Sequence, residues 1–173
     1  MPSSSAVGKS WIRRQILSLD PKSIADVGPG RGTYHDLVGD ALPNCYWIGV
    51  EVFEPYVQRY ALLAKYDEVV ISDAFYLDWT LIGPVDLVIL GDVLEHLPRN
   101  RAARVWNEAR GVSKHVVLSV PLGEYPQGPS AGNRFETHVS TWTKQECLAL
   151  PGVIDHAEYA YIGVFLAEGL LTP

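Results

Sequence analysis

Residues 24–33 constrain the fold of this chain more than any other segment. They begin with an apolar, β-forming run that ends at Val27. Glycines then follow at alternate positions: Gly28, Gly30 and Gly32. Glycine permits a tight turn and lets another molecule approach the backbone closely. From Tyr34 onward the apolar residues recur at helical spacing. The segment therefore predicts a strand, a glycine turn and a helix, which together form the nucleotide-binding half of a doubly wound α/β sheet.

The spacing of these glycines indicates the kind of ligand. The dinucleotide fingerprint is G-x-G-x-x-G, whereas this chain has G-x-G-x-G with Asp26 two residues before the first glycine. An acidic group at that point would repel a pyrophosphate and would suit an ammonium group. S-adenosylmethionine carries an ammonium and a sulfonium but no phosphate. The pattern therefore favours S-adenosylmethionine and disfavours a nicotinamide-dependent dehydrogenase.

A second apolar run, residues 46–50, ends in an acidic residue. The run is rich in β-forming residues, and Glu51 closes it at the distance from the glycine turn where a ribose-binding acid belongs. Ligands of open α/β sheets bind at the carboxyl ends of such strands. A carboxylate there accepts ribose hydroxyls, and each charge-assisted hydrogen bond contributes about 1.5–3 kcal/mol. Glu54, at the start of the next predicted helix, is the alternative candidate for binding the ribose hydroxyls.

Four segments, in order, resemble the successive motifs of the class I S-adenosylmethionine-dependent methyltransferases. They are residues 24–37, 49–60, 72–74 and 86–97. The last of them contains Asp-Val-Leu-Glu-His-Leu at residues 92–97, a run common in the small-molecule branch of that family. The resemblance covers the chain from about residue 22 to residue 142.

The resemblance implies a set of cofactor-binding residues. Those implied for the methionine end of the cofactor are Asp26, Gly28, Gly30, Gly32 and Asp92. Those implied for its ribose and adenine are Glu51, Val52, Phe53, Asp73 and Ala74. Within this set, Asp26 helps hold the amino group, often through water, while Glu51 takes the ribose hydroxyls and Asp73 accepts the adenine amino group.

Length and composition agree with one globular domain. A chain of 173 residues can bury a sizeable core, and an apolar fraction of 47% is ordinary. No apolar run approaches the roughly 20 residues needed to span a membrane. We interpret residues 1–9 as a disordered lead and residues 10–173 as the methyltransferase domain, with a substrate or lid loop at 122–141.

The net charge and the cysteine content limit the classes of partner and the cellular compartment that we expect. The net charge of −6 argues against a nucleic-acid substrate, which favours a basic surface. Cys45 and Cys147 have no metal-ligand spacing and indicate packed thiols in a cytoplasmic protein. The expected partner is a small-molecule acceptor, and we expect no association with a membrane. The sequence leaves open whether the protein forms a homodimer.

The hydrophobic periodicity predicts five helices and seven strands. The helices are expected at 10–17, 34–42, 55–65, 98–112 and 143–149. The strands are expected at 23–27, 46–50, 68–71, 85–90, 115–120, 153–159 and 161–167. These elements predict a single doubly wound, Rossmann-like α/β domain with a mostly parallel seven-stranded sheet. The resemblance implies that the final strand inserts antiparallel beside the fifth.

The segment 122–141 follows the fifth predicted strand at the ligand-binding edge of the sheet. It is rich in glycine and proline, and loops this long in a compact domain are usually functional. Its second half holds Arg134, Phe135 and Glu136, which we interpret as substrate-binding residues. The alternative is a surface loop whose polar side chains only satisfy backbone groups.

Methyl transfer to a hydroxyl oxygen requires a base, whereas an amine acceptor can react without one. Histidine is the side chain whose ordinary pKa lies nearest neutrality, and a general base contributes about 10²–10⁴-fold to the rate. His138, in the predicted loop, is the first candidate for the catalytic base, and His96 is the second.

These features predict an S-adenosylmethionine-dependent methyltransferase acting on a small polar acceptor at a hydroxyl oxygen, such as that of a sugar. The alternatives are an N-methyltransferase and a non-catalytic, cofactor-binding regulatory domain. No metal ligand is assigned. Asp92, Glu95 and Glu136 could converge on magnesium, but their spacing is not specific.

Overall fold

The computed structural model describes residues 6–130 and 132–172. The strands are β1 Ser23–Val27, β2 Tyr46–Glu51, β3 Glu68–Ile71, β4 Val85–Gly91, β5 Ser113–Pro121, β6 Val153–Tyr159 and β7 Ile162–Glu168. The α-helices are α1 Lys9–Leu19, α2 Thr33–Val38, α3 Pro55–Arg59, α4 Arg99–Gly111 and α5 Lys144–Leu148. Short 3₁₀ turns lie at Gly39–Ala41, Leu62–Ala64, Trp79–Leu81, Leu94–His96 and Arg134–Glu136.

The strands form one seven-stranded sheet in the order β3-β2-β1-β4-β5-β7-β6. The pairs among β1 to β5 are parallel, whereas β7 runs antiparallel between β5 and β6. This confirms the predicted α/β fold and its antiparallel final strand. Because β1 lies between β2 and β4, the chain turns in opposite directions from β1, which opens a crevice at the carboxyl ends of these strands.

Side chains of β1 alternate between the two faces of the sheet, as the period-2 geometry of a strand requires. Ala25 and Val27 pack into the layer that contains α4, while Ile24 packs with α1 and α2. Both faces of the sheet are therefore covered by helices, which explains why the central strands are continuous apolar runs in the sequence.

Helix α1 begins earlier than predicted, and residues 8–9 are not a disordered lead. Lys9 is only 8% exposed, and its Nζ donates a hydrogen bond to the Tyr34 hydroxyl at 2.6 Å. Gly8 adopts a φ of 81° so close to Val164 of β7 that a Cβ atom would lie 2.8 Å from it. The glycine thus lets the start of α1 dock on the sheet. Residues 1–5 of the predicted lead lie outside the described residues.

Helices α2 and α3 are shorter than predicted. Helix α2 gives way to a 3₁₀ turn after Val38, and α3 ends at Arg59 because Ala61 adopts a left-handed φ of 51° that cannot continue a right-handed helix. The following 3₁₀ turn still buries Leu62 completely. The apolar spacing correctly indicated that Leu62 is buried, but the backbone conformation of Ala61 ends α3 before it.

In the described part of the chain, no helix is both long and apolar enough to cross a membrane. Cys45 and Cys147 are free thiols, half-buried and buried respectively. Burial raises the pKa of each thiol to about 12, which makes both unreactive.

Candidate cofactor and acceptor site

The carboxyl ends of the central strands open into a cavity of about 440 Å³. Eleven of the predicted site residues line it: Gly28, Gly30, Glu51, Val52, Asp73, Ala74, Asp92, His96, Phe135, Glu136 and His138. These residues come from the ends of β1, β2, β3 and β4 and from the loop after β5. The fold therefore brings together residues that lie more than a hundred positions apart in the sequence.

The glycine turn presents backbone to this cavity. Gly28 and Gly30 have positive φ angles of 68° and 53°. At Gly28 a Cβ atom would lie 2.9 Å from Val93, whereas at Gly30 it would meet nothing within 4 Å. Gly30 is therefore required for its backbone conformation, and the space beside it belongs to the cavity.

Glu51 is held at the edge of the cavity by backbone donors. Its Oε1 accepts a hydrogen bond from the Phe53 amide at 2.8 Å and its Oε2 accepts one from the Gly30 amide at 3.3 Å. A carboxylate has about four lone-pair sites, so capacity remains for ribose hydroxyls. Burial raises the pKa of Glu51 to about 7 despite these two donors.

Asp73 and Ala74 follow β3 on the same edge of the cavity. The Asp73 carboxylate accepts a hydrogen bond from the Phe75 amide at 2.8 Å, and the Ala74 carbonyl accepts one from the Trp79 indole at 3.2 Å. These hydrogen bonds fix both residues, and both line the cavity.

Asp26 lies on the face of β1 that carries Ile24 and packs against Tyr66. It is fully buried, and its Oδ2 accepts a hydrogen bond from the Tyr66 hydroxyl at 2.7 Å. It is not among the residues that line the cavity, and its contact with a cofactor amino group stays a prediction. The next residue, Val27, reaches the other face of β1 and lines the cavity.

Burial raises the pKa of Asp26 from 3.8 to about 7, partly offset by the Tyr66 hydrogen bond and the charge of Lys9. A raised carboxyl pKa stabilises the fold fully below the unfolded-state value and loses that contribution as the pH rises through about 7. We expect Asp26→Asn, which keeps an acceptor for Tyr66, to flatten the pH dependence of the unfolding free energy. The change between pH 5 and pH 8 should be about 2–3 kcal/mol, measured by urea titration without ligand.

Asp40→Asn, at an exposed position, is the matched control and should leave the slope unchanged. Equal slopes in wild type and Asp26→Asn would show that Asp26 already ionises freely in the folded protein.

Three further predicted residues lie outside the cavity wall. Gly32 packs against the Lys65 side chain, Phe53 makes an edge contact with Tyr56, and Arg134 is exposed and stacks on Phe135. The predicted binding roles of Gly32, Phe53 and Arg134 stay predictions. Phe53 and Arg134 neighbour residues that do line the cavity.

Tyr34 is a cavity residue that the motif analysis did not single out. Its ring lies above Gly91, where a Cβ atom would come within 2.0 Å of the ring. The buried Lys9 ammonium bonds its hydroxyl. Burial lowers the pKa of Lys9, while the charges of Asp92, Asp26 and Glu95 oppose that shift. The Lys9 side chain therefore interacts electrostatically with all three of these carboxyl groups.

The loop after β5 is anchored to both halves of the cavity. The Val139 and Ser140 amides donate to the Glu95 carbonyl at 2.9 Å and 3.1 Å, and the His138 amide donates to the Gln127 carbonyl at 3.0 Å. On the other side, the Tyr56 hydroxyl donates to Glu136 at 3.1 Å. The loop therefore has a defined path, although its predicted role as a lid stays a prediction.

Glu95, His96 and His138 form a cluster at the loop side of the cavity. One potential ligand atom from each residue lies within 4.8 Å of the other two. Glu95 is 1% exposed, and neither of its carboxylate oxygens has a hydrogen-bond partner among the described residues. Burial, with the charge of Asp92, raises the pKa of Glu95 well above its ordinary value. The cluster was not predicted, because His138 lies 43 positions after Glu95 in the sequence.

Asp92 and two tyrosines complete the acceptor side. Asp92 adopts a left-handed φ of 58°, and its Oδ1 accepts a hydrogen bond from the Ser119 hydroxyl at 2.8 Å. Tyr125 and Tyr161 stack with their ring centroids 5.2 Å apart, and both line the cavity. Tyr125 also lies beside the His138 imidazole, with the two ring centroids 5.8 Å apart.

Comparison with known proteins identifies the fold. No family model matches the chain, and a search of the curated proteins found no match. Among solved structures, the N-terminal domain of EvdMO1 with S-adenosylhomocysteine bound is similar, with a TM-score of 0.70 at 16% identity over 96% of this chain and 82% of that one. The same domain in the presence of S-adenosylhomocysteine and D-fucose has a TM-score of 0.68 at 17% identity, covering 96% of this chain and 84% of that one.

Two other structures extend the comparison. The methyltransferase domain of bacterial CtHen1-C has a TM-score of 0.69 at 19% identity, covering 93% of this chain and 96% of that one. An O-methyltransferase family protein from Burkholderia thailandensis has a TM-score of 0.63 at 12% identity, covering 93% of this chain and 59% of that one.

The chain has the fold of the class I S-adenosylmethionine-dependent methyltransferases. The fold that its ordered motifs predicted is therefore confirmed in three dimensions.

Proposed function

We propose that this protein transfers the methyl group of S-adenosylmethionine to a hydroxyl oxygen of a small polar acceptor, such as a sugar. The proposal depends on one observation: a glycine turn and Glu51 line the same cavity as the cluster of Glu95, His96 and His138. The neighbour solved with S-adenosylhomocysteine bound, and again in the presence of D-fucose, supports both the cofactor and the acceptor class.

The cofactor fits the half of the cavity nearest β1, β2 and β3. Gly28 and Gly30 would border the methionine part, Glu51 would accept the ribose hydroxyls, and Asp73 with Ala74 would border the adenine. These roles follow the family resemblance and agree with the contacts described above. Val52 lines the same part of the cavity beside Glu51.

Transfer is a direct displacement in which the sulfur–methyl bond breaks as the oxygen–methyl bond forms. Holding the acceptor oxygen in line with that bond supplies much of the rate, since effective molarities reach about 10⁵–10⁸ M. The hydroxyl proton must also leave. We assign that step to the cluster, with His138 as the proposed proton acceptor and His96 beside it. Phe135 and Glu136 would border the acceptor.

Incubation of the protein with S-adenosylmethionine and matched sets of hydroxylated and amine acceptors tests the proposal. We expect S-adenosylhomocysteine to accumulate only with a hydroxylated acceptor, and mass spectrometry should locate the new methyl group on its oxygen. Methylation at nitrogen would replace the proposal with an N-methyltransferase. Cofactor binding without turnover across both sets would favour a regulatory, cofactor-binding domain.

A further inference from the structure

We propose that Glu95, His96 and His138 form a binding site for one divalent transition-metal ion, of the zinc or manganese type, which holds the acceptor hydroxyl. The inference rests on the proposed function for the role of the ion, but the site itself is argued from geometry. Glu95 and His96 lie on the 3₁₀ turn after β4, and His138 is brought to them by the loop after β5.

Glu95 supplies the first argument. Its side chain is 2% exposed, and both carboxylate oxygens lack a hydrogen-bond partner in the described structure. A buried polar group without a partner costs free energy, and a buried charge costs considerably more unless it is paired or coordinates a metal. Since Glu95 faces the cavity, a bound cation would satisfy it.

The two imidazole rings supply the second argument. His96 Nδ1 lies 3.1 Å from the Thr137 carbonyl oxygen, and His138 Nδ1 lies 2.6 Å from the Tyr125 carbonyl oxygen. A carbonyl accepts only, so each Nδ1 carries the proton and donates it. The Nε2 lone pair of each ring is then available. Metal-binding histidines are usually oriented in this way by a carbonyl or carboxylate behind them.

The distances are close to those of a bound metal. His138 Nε2 lies 4.0 Å from Glu95 Oε1, and the two imidazole centroids are 4.7 Å apart. Two ligands of one tetrahedral zinc ion, each about 2.0–2.2 Å from it, are roughly 3.4 Å apart. A small side-chain movement would close the site. The loop hydrogen bonds to the Glu95 carbonyl hold His138 close enough for this movement.

The donor set selects the class of metal. Two imidazoles and one carboxylate suit zinc, manganese, iron or cobalt, whereas magnesium and calcium prefer oxygen ligands. Three protein ligands leave coordination positions open for substrate, as in catalytic rather than structural sites. Because these positions face the cavity, the ion would contact the acceptor.

The ion would change how the acceptor loses its proton. A hydroxyl bound to a divalent cation is more acidic, as is water bound to zinc. The proton then passes to solvent water, the oxygen–methyl bond forms as the sulfur–methyl bond breaks, and S-adenosylhomocysteine and the methyl ether leave. His138 is a metal ligand in this form of the reaction, and its imidazole no longer serves as the proton acceptor.

Metal binding without cofactor or acceptor tests the site. Protein stripped with a chelator is titrated with Zn²⁺, Mn²⁺ and Mg²⁺ by calorimetry, and with Co²⁺ by visible absorption. We expect one equivalent of Zn²⁺ to bind, and Mg²⁺ to bind far more weakly. Glu95→Gln and His138→Ala should each weaken Zn²⁺ binding by about 100-fold or more. His156→Ala, at an exposed position on β6, should bind as wild type does.

A stoichiometry far below one, or equal affinity in Glu95→Gln and wild type, would overturn the proposed metal site. Far-ultraviolet circular dichroism and S-adenosylhomocysteine affinity show whether each variant is folded. Activity separates the two proposals. Turnover that survives complete metal removal contradicts only the role of the ion in holding the acceptor, whereas a metal-binding protein without methyl transfer contradicts only the proposed function.

Discussion

His138→Ala is expected to lower the turnover of methyl transfer to a hydroxyl acceptor by about 10²-fold or more, because the variant loses the imidazole nearest Glu95. The affinity for S-adenosylhomocysteine should stay within a few-fold of wild type, since His138 lies on the loop side of the cavity. Steady-state kinetics and calorimetry measure the two quantities separately. The expectation is the same whether His138 takes a proton or holds a metal ion.

His156→Ala is the control, because His156 is exposed on β6 and is not part of the cavity wall. Near-normal turnover of His138→Ala would show that its imidazole only supports the loop. Attention would then move to His96, or to an amine acceptor that needs no base. A parallel loss of cofactor affinity would indicate collapse of the loop rather than loss of a catalytic group.

Glu51→Ala is expected to weaken binding of S-adenosylmethionine and S-adenosylhomocysteine by more than about tenfold. The carboxylate is already oriented by the Gly30 and Phe53 amides, and the variant would lose two charge-assisted hydrogen bonds to ribose, each worth about 1.5–3 kcal/mol. Calorimetry with each ligand, at a pH above 7 where the carboxylate is ionised, measures the effect.

Glu54→Ala is the matched control, because Glu54 is the competing acid in the sequence and is exposed beside α3. Unchanged affinity in Glu51→Ala would remove Glu51 from the ribose site, and a loss confined to Glu54→Ala would transfer the role. Glu51→Gln should bind with intermediate affinity, because an amide oxygen still accepts a hydrogen bond but carries no charge.

The strands, and the position of Gly28, Gly30 and Glu51 in one cavity, were predictable from sequence, because they depend on local signals. The apolar run before Gly28 and the acid after residues 46–50 identify strand ends, and strand ends of a parallel sheet share one edge. The hydrogen bond between Asp26 and Tyr66 was not predictable in this way, because the two residues lie 40 positions apart.

The acceptor half was harder to predict, because its residues meet only through tertiary structure. His138 is 43 positions after Glu95, and their proximity depends on the backbone hydrogen bonds that bring Val139 and Ser140 to the Glu95 carbonyl. The buried position of Lys9 likewise depends on Gly8 packing against Val164. The hydrophobic periodicity of a short segment carries no information about contacts between residues so far apart in the sequence.

The anchoring of the loop after β5 has a consequence for how acceptor preference could diversify. Backbone hydrogen bonds hold the Leu122 and Gly123 amides at one end, and the tie between His138 and Gln127 holds the other. Residues 128–130 follow the Gln127 attachment, and longer loops add little closure cost. Insertions there would change the entrance to the cavity while the His138 imidazole keeps its position. We therefore expect this stretch to tolerate changes of acceptor specificity better than the rest of the loop.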